Sequence, residues 1–291
     1  MSMNATTPHN NETSDNKPNE LFPFSDHDYQ YIKELIREYT GIHLDHTKRF
    51  LVQTRLSKRL KLLGLKSFHE YRIILESDND LELEHLANAI TTNTTSFFRH
   101  DHHFTFLNTV FKEYETKKEF KELKIWSAGC SSGEEPYTIA WIAYNTFSPE
   151  NLEKIKILAT DIDSETLRIA EKGVYHREVL SQISESKLRD IFLRGKGENT
   201  GYFKVKPEVR SLVDFRKINL IEKWPVKGPF DIIFCRNVCI YFHKDTQRVL
   251  MERLADMQEK GGYLFIGQSE NLFATCNFYK TLEHAIYQKI Y

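Results

Sequence analysis

From about residue 115 onward, the chain alternates between segments patterned as β-strands and segments patterned as α-helices. Apolar strand patterns occur in "LKIWSAG", "IKILATDID", "LVDFRKINL", "FDIIFCRNV" and "GGYLFIGQS". Helical patterns occur in "EEPYTIAWIAYNTF", "SETLRIAEKGVY" and "KDTQRVLMERLADMQ". Helical connections allow neighbouring strands to be parallel, and near-continuous apolar strands indicate a sheet buried on both faces. The pattern therefore predicts a doubly wound α/β domain over residues 115–291.

The region before this domain has helical periodicity and no strand pattern. Ser25 with Asp28, and Ser67 with Glu70, have the spacing of N-terminal capping boxes. Four helices are predicted: Ser25 to Gly41, Asp45 to Leu63, one beginning at Ser67, and Asp80 to Ile90. We therefore expect a small all-helical domain over residues 21–90. Residues 91–114 are predicted to form a linker and a connecting helix. Residues 1–20 are polar and predict a disordered tail.

One stretch of the α/β region departs from the alternation. Between Ala170 and Val213 the sequence contains "RGKGENTGYFKVKPEV", which combines closely spaced glycines with a short apolar alternation. This pattern is typical of hairpins. It predicts a small antiparallel β flap over about residues 176–212.

Composition narrows the function classes. The 40 basic and 41 acidic residues leave a net charge of −1, which does not indicate a whole-chain nucleic-acid footprint. No apolar run reaches the ~18 residues of a membrane span, and no signal-peptide pattern begins the chain, so we expect a cytoplasmic protein. Cys235 and Cys239 have no second ligand pair, so they are interpreted as small buried hydrophobes, and no metal site is predicted.

The loops after the first two strands indicate a ligand. The first loop, "SAGCSSGEEPY", places Glu134 and Glu135 at a helix N-terminus, where they would repel a phosphate. Alternatively, both glutamates merely complement the helix dipole. The two interpretations are compatible if one glutamate caps the helix while the other faces the site. Asp161 ends the second strand, where an acid typically accepts hydrogen bonds from a ribose diol, and Asp163 can begin the next helix. A ligand with a ribose and a positive charge but no phosphate fits, and S-adenosylmethionine is such a ligand.

Five motifs then support a resemblance to a known family. "NTTSFFRH", "WSAGCSSGEEPYTIA", "ATDID", "IFCRNVCIYF" and "FIGQSENL" resemble, in this order, the CheR family of chemotaxis receptor methyltransferases. The resemblance extends from about residue 25 to the end. It implies a Rossmann-like, S-adenosylmethionine-dependent methyltransferase domain that converts receptor glutamates to methyl esters and releases S-adenosylhomocysteine. The implied cofactor-binding residues are Asn93, Thr95, Arg99, Glu135, Asp161, Asn219, Leu220, Arg236 and Asn237.

The segment "FDIIFCRN" places two polar residues where a buried strand reaches the edge of the sheet. Asn237 can offer a donor and an acceptor to the cofactor, whereas Arg236 has the alternative of pairing with an acid of the first loop. A glutamate acceptor is already ionised near neutral pH and needs no general base. Arg99 and Tyr241 are therefore the candidate catalytic residues, acting as orienting groups. Arg99 can form a charge-assisted hydrogen bond to a carboxylate of either the cofactor or the substrate. Simple aromatic packing is the alternative for Tyr241.

Other acceptors and partners remain open at this stage. Nitrogen-directed methyltransferases often carry an Asn-Pro-Pro-aromatic turn where this chain has "RNVCIY", so nitrogen is the less favoured acceptor. Lys48, Arg55 and Arg59 lie beside the apolar helix face formed by Val52, Leu56, Leu60 and Leu63.

The resemblance implies that this stripe docks the acidic cytoplasmic coiled coil of a methyl-accepting chemotaxis receptor, and that the flap is a candidate site for the receptor's C-terminal tail peptide. The alternatives are a solvated face, a nucleic-acid-binding module and an adaptor that has lost catalysis. We expect a monomer that neither binds nucleic acid nor inserts into the membrane.

Overall fold

A computed structural model describes residues 21–77, 79–272 and 277–291. The tail predicted for residues 1–20 lies outside the described residues. The helices are α1 Asp26–Thr40, α2 Arg49–Leu62, α3 Phe68–Glu76, α4 Asp80–Ile90, α5 Asp101–Glu115, α6 Glu134–Thr146, α7 Pro149–Leu152, α8 Ser164–Lys172, α9 Glu185–Ile191, α10 Pro207–Arg210 and α11 Lys244–Asp256. The strands are β1 Leu123–Ala128, β2 Ile155–Asp161, β3 Val174–His176, β4 Phe192–Arg194, β5 Tyr202–Val205, β6 Val213–Lys217, β7 Phe230–Cys235, β8 Gln258–Ile266, β9 Tyr279–Glu283 and β10 Ile286–Lys289.

Helices α1–α4 form the predicted all-helical domain. Ser25 caps α1 in a complete capping box with Asp28. Ser67 accepts the Glu70 backbone N–H as predicted, but the Glu70 carboxylate accepts from the Lys66 amide instead of closing the box.

The predicted second helix is divided into two pieces. A 3₁₀ turn, His46–Lys48, precedes α2. Val52, Leu56 and Leu60 are fully buried in the helical core. Placing Leu63 on that face was wrong, because the helix ends at Leu62 and Leu63 is 37% exposed.

The α/β domain has one seven-stranded sheet in the order β6-β2-β1-β7-β8-β10-β9. The five strands predicted from the sequence pair in parallel, which confirms the doubly wound fold. After β1 the chain moves outward to β2 and β6, then returns to the other side of β1 as β7. This reversal makes the carboxyl ends of β1 and β7 the topological switch point, where ligands bind in such sheets.

Side chains of the central strands alternate between two cores. In β7, Ile232 and Phe234 belong to one core cluster, with residues of α5 and α6. Ile233 and Cys235 belong to the other, with residues of α11. Both clusters are almost completely buried, so helices on each face shield the sheet and confine polar groups to its edges.

The last two strands were not predicted. β10 pairs antiparallel with β8, and β9 pairs antiparallel with β10. Their turn contains Ala285 at a φ of 60°, where hairpins usually carry glycine or asparagine. The sequence therefore lacked the turn residues that mark a hairpin.

The predicted flap is a separate three-stranded antiparallel sheet with the order β3-β5-β4. Helix α9 lies between β3 and β4 in the chain. Among the described residues, none of the helices has the length and apolar character needed to cross a bilayer.

Candidate active site

A cleft with about 960 Å³ of empty space, part of it open to solvent, lies at the switch point of the sheet. Its wall is built from the loops after β1, β2, β6 and β7, from the linker before α5, and from the end of α1. The cleft therefore draws on both domains.

The loop after β1 approaches the loop after β7 closely. Gly129 has a φ of 82°, and a β-carbon built on it would lie 2.3 Å from Val238 Cγ2. The backbone N–H groups of Gly129 and Cys130 both donate to the Thr160 carbonyl, at 2.8 and 2.9 Å. A glycine is thus required here both by the backbone conformation and by the contact with Val238.

Asp161 ends β2 inside the cleft. Its Oδ2 accepts from the Ser131 backbone N–H at 2.7 Å, and its Oδ1 accepts from the Asp163 N–H at 3.0 Å. Burial raises the pKa of Asp161 to about 6, because desolvation of the carboxylate outweighs these hydrogen bonds. The group is therefore ionised at neutral pH and able to accept hydrogen bonds from a ligand.

The two glutamates at the start of α6 have different surroundings. Glu134 is buried against the Ser132 hydroxyl, which donates to its carboxylate at 2.7 Å. Glu135 lines the cleft, accepts from the Ser127 hydroxyl at 2.7 Å and pairs with Arg236 at 3.2 Å. Desolvation raises the pKa of Glu135. Its pairing is the alternative predicted for Arg236, although Arg236 also lines the cleft.

Arg236 lines the cleft as a buried cation. Only 3% of its side chain is exposed. It donates to the Arg99 carbonyl as well as to Glu135, and its guanidinium carbon lies 5.3 Å from the centre of the Phe104 ring. Burial lowers the pKa of Arg236. The pair with Glu135 offsets the cost of burying both charges, so removing either partner would leave the other unmatched.

The linker over residues 91–100 forms one wall of the cleft. The Asn93 side-chain amide donates to the Asp163 carboxylate at 2.6 Å, and the Asn93 backbone carbonyl accepts from the Ser131 hydroxyl at 3.0 Å. Asp163 also caps α8, as predicted, by accepting from the first amides of that helix. Arg99 donates to the Thr94 carbonyl at 2.8 Å. The two hydrogen bonds of Asn93 connect the linker to the loops after β1 and β2.

The helical domain contributes to the cleft in a way the sequence did not indicate. Thr40 and Ile42 line it. The His43 backbone N–H donates to the Tyr241 carbonyl at 2.7 Å, and Asn219 donates to the Tyr39 carbonyl at 2.6 Å. Nothing in the periodicity of α1 marks these residues, because the contact depends on how the two domains pack.

The structure brings together every residue predicted to bind cofactor or to take part in catalysis. All of them line the one cleft: Asn93, Thr95, Arg99, Glu135, Asp161, Asn219, Leu220, Arg236, Asn237 and Tyr241. Their individual roles remain predictions.

The three predicted docking residues lie outside the cleft and differ from one another. Lys48 is exposed. Arg55 donates to the carbonyls of Ile90 and Thr91 at 2.7 and 2.8 Å, closing the C-terminus of α4. Arg59 forms a two-point ion pair with Glu82, whose side chain is 5% exposed. Arg55 and Arg59 are thus engaged within the helical domain, which the charge pattern did not reveal.

Comparison with known proteins identifies relatives along most of the chain. Residues 93–287 match the family model described as the CheR methyltransferase, SAM binding domain, and residues 27–91 match the CheR methyltransferase, all-alpha domain. Chemotaxis protein methyltransferase 2 of Pseudomonas aeruginosa is 41% identical over 273 residues, which is 92% of this chain and 95% of that protein.

Two further relatives give similar values. The chemotaxis protein methyltransferase of Escherichia coli is 39% identical over 87% of both chains. That of Borreliella burgdorferi is 38% identical over 89% of this chain and 93% of the relative.

Proposed function

The chain belongs to the CheR methyltransferase family, and from this premise we propose that it is a protein-glutamate O-methyltransferase acting on chemotaxis receptors. S-adenosylmethionine is its cofactor, and S-adenosylhomocysteine is the expected product. The observation that carries the proposal is the convergence of ten predicted residues on one cleft at the switch point of the sheet.

The cleft fits this cofactor by its chemistry. It presents the buried carboxylate of Asp161, the partly buried carboxylate of Glu135 and the amide of Asn237, and the helix α6 that begins beside it carries two glutamates in its first turn. Carboxylates suit a ribose diol and cationic groups, and they disfavour a pyrophosphate at that helix N-terminus.

When bound, S-adenosylmethionine supplies a methyl group activated by a sulfonium. Asp161 would hold the ribose hydroxyls, Asn237 would offer a donor and an acceptor, and Leu220 would supply apolar contact.

The acceptor side of the reaction requires orientation more than proton transfer. A glutamate carboxylate is ionised at neutral pH and can react without a general base. Arg99 lines the cleft and can form a charge-assisted hydrogen bond to a carboxylate. Tyr241 also lines the cleft, and its backbone is held by His43 of the helical domain. Positioning of this kind can contribute ~7–11 kcal/mol to lowering a barrier.

Docking of a receptor is assigned to the exposed face of α2. This helix contains no acidic residue, and Lys58 and Lys61 are exposed on it, as is Lys48 in the preceding turn. Phe50 and Leu62 are 68% and 75% exposed on the same helix. A basic face with apolar side chains suits an acidic coiled coil. Through Arg55, α2 also contacts the linker that lines the cleft, so a receptor helix docked on α2 would lie near the site.

The flap offers a second contact for the receptor. Strands β3 and β4 each pair only with β5 among the described residues, so each has an edge that can accept an added strand. A receptor tail peptide bound there stays a prediction. The nucleic-acid-binding and nitrogen-directed alternatives are not favoured by the family match.

The proposal is tested by incubating the protein with tritiated S-adenosylmethionine and receptor-containing membranes. The label should appear on receptors and be released as methanol at high pH, because esters hydrolyse and methylated amines do not. Arg99→Ala should lower the rate by about tenfold or more, the effect of losing one charge-assisted hydrogen bond. The control is Asp214→Ala, since Asp214 is an exposed carboxylate paired with Arg216 on β6. Base-stable label would contradict a carboxylate acceptor.

A further inference from the structure

The buried carboxylate of Glu270 lies next to residues of the cleft but does not line the cleft itself. Glu270 follows β8, and only 6% of the residue is exposed. Within the part of the chain that the structure describes, it forms no ion pair within 4 Å, although it lies near enough to Arg236 for the two charges to interact. A carboxylate in such surroundings needs hydrogen-bond donors to offset its desolvation.

Backbone amides supply those donors. Glu270 Oε2 accepts from the Asn237 N–H at 2.8 Å and from the Gly267 N–H, and Oε1 accepts from the Ile240 N–H at 3.2 Å. One side chain thereby ties the loop after β8 to the loop after β7. Hydrogen bonds from N–H groups to an ionised carboxylate are stronger than bonds between neutral groups.

The loop held in this way has an unusual conformation. Asn237 has a φ of 59°, in the left-handed region that is uncommon for residues other than glycine, although asparagine adopts it more often than most. Ile240 lies in the 3₁₀ turn Cys239–Tyr241, so its N–H fixes the turn that carries Tyr241. Asn237 and Tyr241, two of the residues whose side chains are proposed to act in the cleft, therefore depend on backbone that Glu270 holds.

Gly267 provides independent support. A β-carbon built on it would lie 2.6 Å from Glu270 Oε2, 2.7 Å from Asn237 Nδ2 and 2.9 Å from the Asn237 backbone nitrogen. Its φ is not in the left-handed region, so a larger residue would be excluded by space alone. The absence of a side chain at this position is what allows the carboxylate to reach the Asn237 amide.

We propose that Glu270 is a positioning residue, which holds Asn237 and the turn of Tyr241 in the conformation that the cofactor and the acceptor require. This inference rests on the proposed roles of Asn237 and Tyr241. It assigns no contact between Glu270 and the cofactor.

The first test variant is Glu270→Gln, which keeps the size of the side chain and removes one acceptor. The amide nitrogen cannot accept, so at least one backbone N–H in the loop loses its partner. Affinity for S-adenosylhomocysteine, measured by calorimetry, should fall about tenfold, and kcat should fall in addition to the rise in KM for the methyl donor. Gly267→Ala should reproduce the loss of affinity, because its β-carbon displaces the same carboxylate.

Asp231→Asn is the matched control. Asp231 lies at the opposite end of β7 and also accepts a backbone N–H, from Lys124 at 2.8 Å, together with the Tyr114 hydroxyl at 3.4 Å. This substitution should lower the melting temperature while affinity for S-adenosylhomocysteine stays at the wild-type value. A loss of affinity that follows from general destabilisation would appear in all three variants.

The outcomes separate the two proposals. Failure of the wild-type chain to bind S-adenosylhomocysteine would contradict the proposed function itself. If the wild type binds and Glu270→Gln and Gly267→Ala bind equally well, the positioning role is wrong. If either variant is partly unfolded, the rise in melting temperature on adding S-adenosylhomocysteine gives the affinity of the folded fraction. If S-adenosylhomocysteine raises the melting temperature of both variants as much as that of the wild type, the inference is wrong.

Discussion

The pKa of Asp161 predicts how cofactor binding depends on pH. Burial holds this pKa at about 6, two units above the value of 3.8 for an exposed aspartate. A ribose diol donates hydrogen bonds, so it requires the ionised carboxylate. Lowering the pH through 6 should therefore weaken binding of S-adenosylhomocysteine, which can be measured without any methyl acceptor.

The size of the effect follows from the fraction of protein in the competent form. With a pKa of about 6, roughly one-eleventh of the protein carries an ionised Asp161 at about pH 5, and about ten-elevenths does so at about pH 7. The dissociation constant should therefore rise about tenfold between about pH 7 and about pH 5.

The stability of the fold should respond in the opposite direction. Because the folded-state pKa is above the unfolded value, the folded protein binds this proton more tightly than the unfolded chain does. The contribution of Asp161 to stability is thus fully present below about pH 3.8 and is lost as the pH rises through about 6. Binding and stability therefore change with opposite sign across the same pH range.

Calorimetric titrations at several pH values, repeated with Asp161→Asn, test this reasoning. The variant should bind more weakly, by about 1–3 kcal/mol, and its affinity should vary much less with pH. Glu135 lies in the same cleft, and its pKa is also raised by burial, so it is one candidate source of a slope that remains in the variant. Equal wild-type affinity at both ends of the range, or an undiminished slope in Asp161→Asn, would refute the assignment.

Three further predictions concern the packing of the site and the docking surface. Arg59→Ala should cost about 3–5 kcal/mol in denaturant unfolding, because it leaves Glu82 buried without its cation, and it should leave S-adenosylhomocysteine affinity unchanged. Gly129→Ala should destabilise the protein by about 1–3 kcal/mol and weaken cofactor binding in calorimetry, since the new β-carbon would collide with Val238. Replacing both Lys58 and Lys61 with Glu should depress receptor methylation at ~0.1 M salt and have less effect at ~1 M, because the Debye length falls from ~10 to ~3 Å. The control is Lys260→Glu, at an exposed lysine of β8. Equal activity of the two variants would contradict docking on α2.

The sequence by itself determined the layers of the fold and the composition of the cleft. Strand and helix periods specify local structure, so the five parallel strands and the four helices of the first domain could be located from them. Residues such as Asp161 and Asn237 could be placed at the cleft because each lies at or just after the carboxyl end of a strand, and the carboxyl ends of parallel strands meet at one edge. The resemblance to the family supplied the other predicted residues of the cleft, but not Thr40 and Ile42, which reach it from the helical domain.

Only the tertiary structure decided which partner each polar side chain takes. Arg55 and Arg59 look like a free basic stripe on one helix, yet α4 packs beside that helix and supplies the Ile90 carbonyl to Arg55 and the Glu82 carboxylate to Arg59. Glu270 lies 33 residues after Asn237, and no spacing rule connects them until the ends of β7 and β8 are adjacent. Periodicity reports which face of an element is buried, whereas ion pairs and hydrogen bonds depend on distances between elements that are remote in sequence.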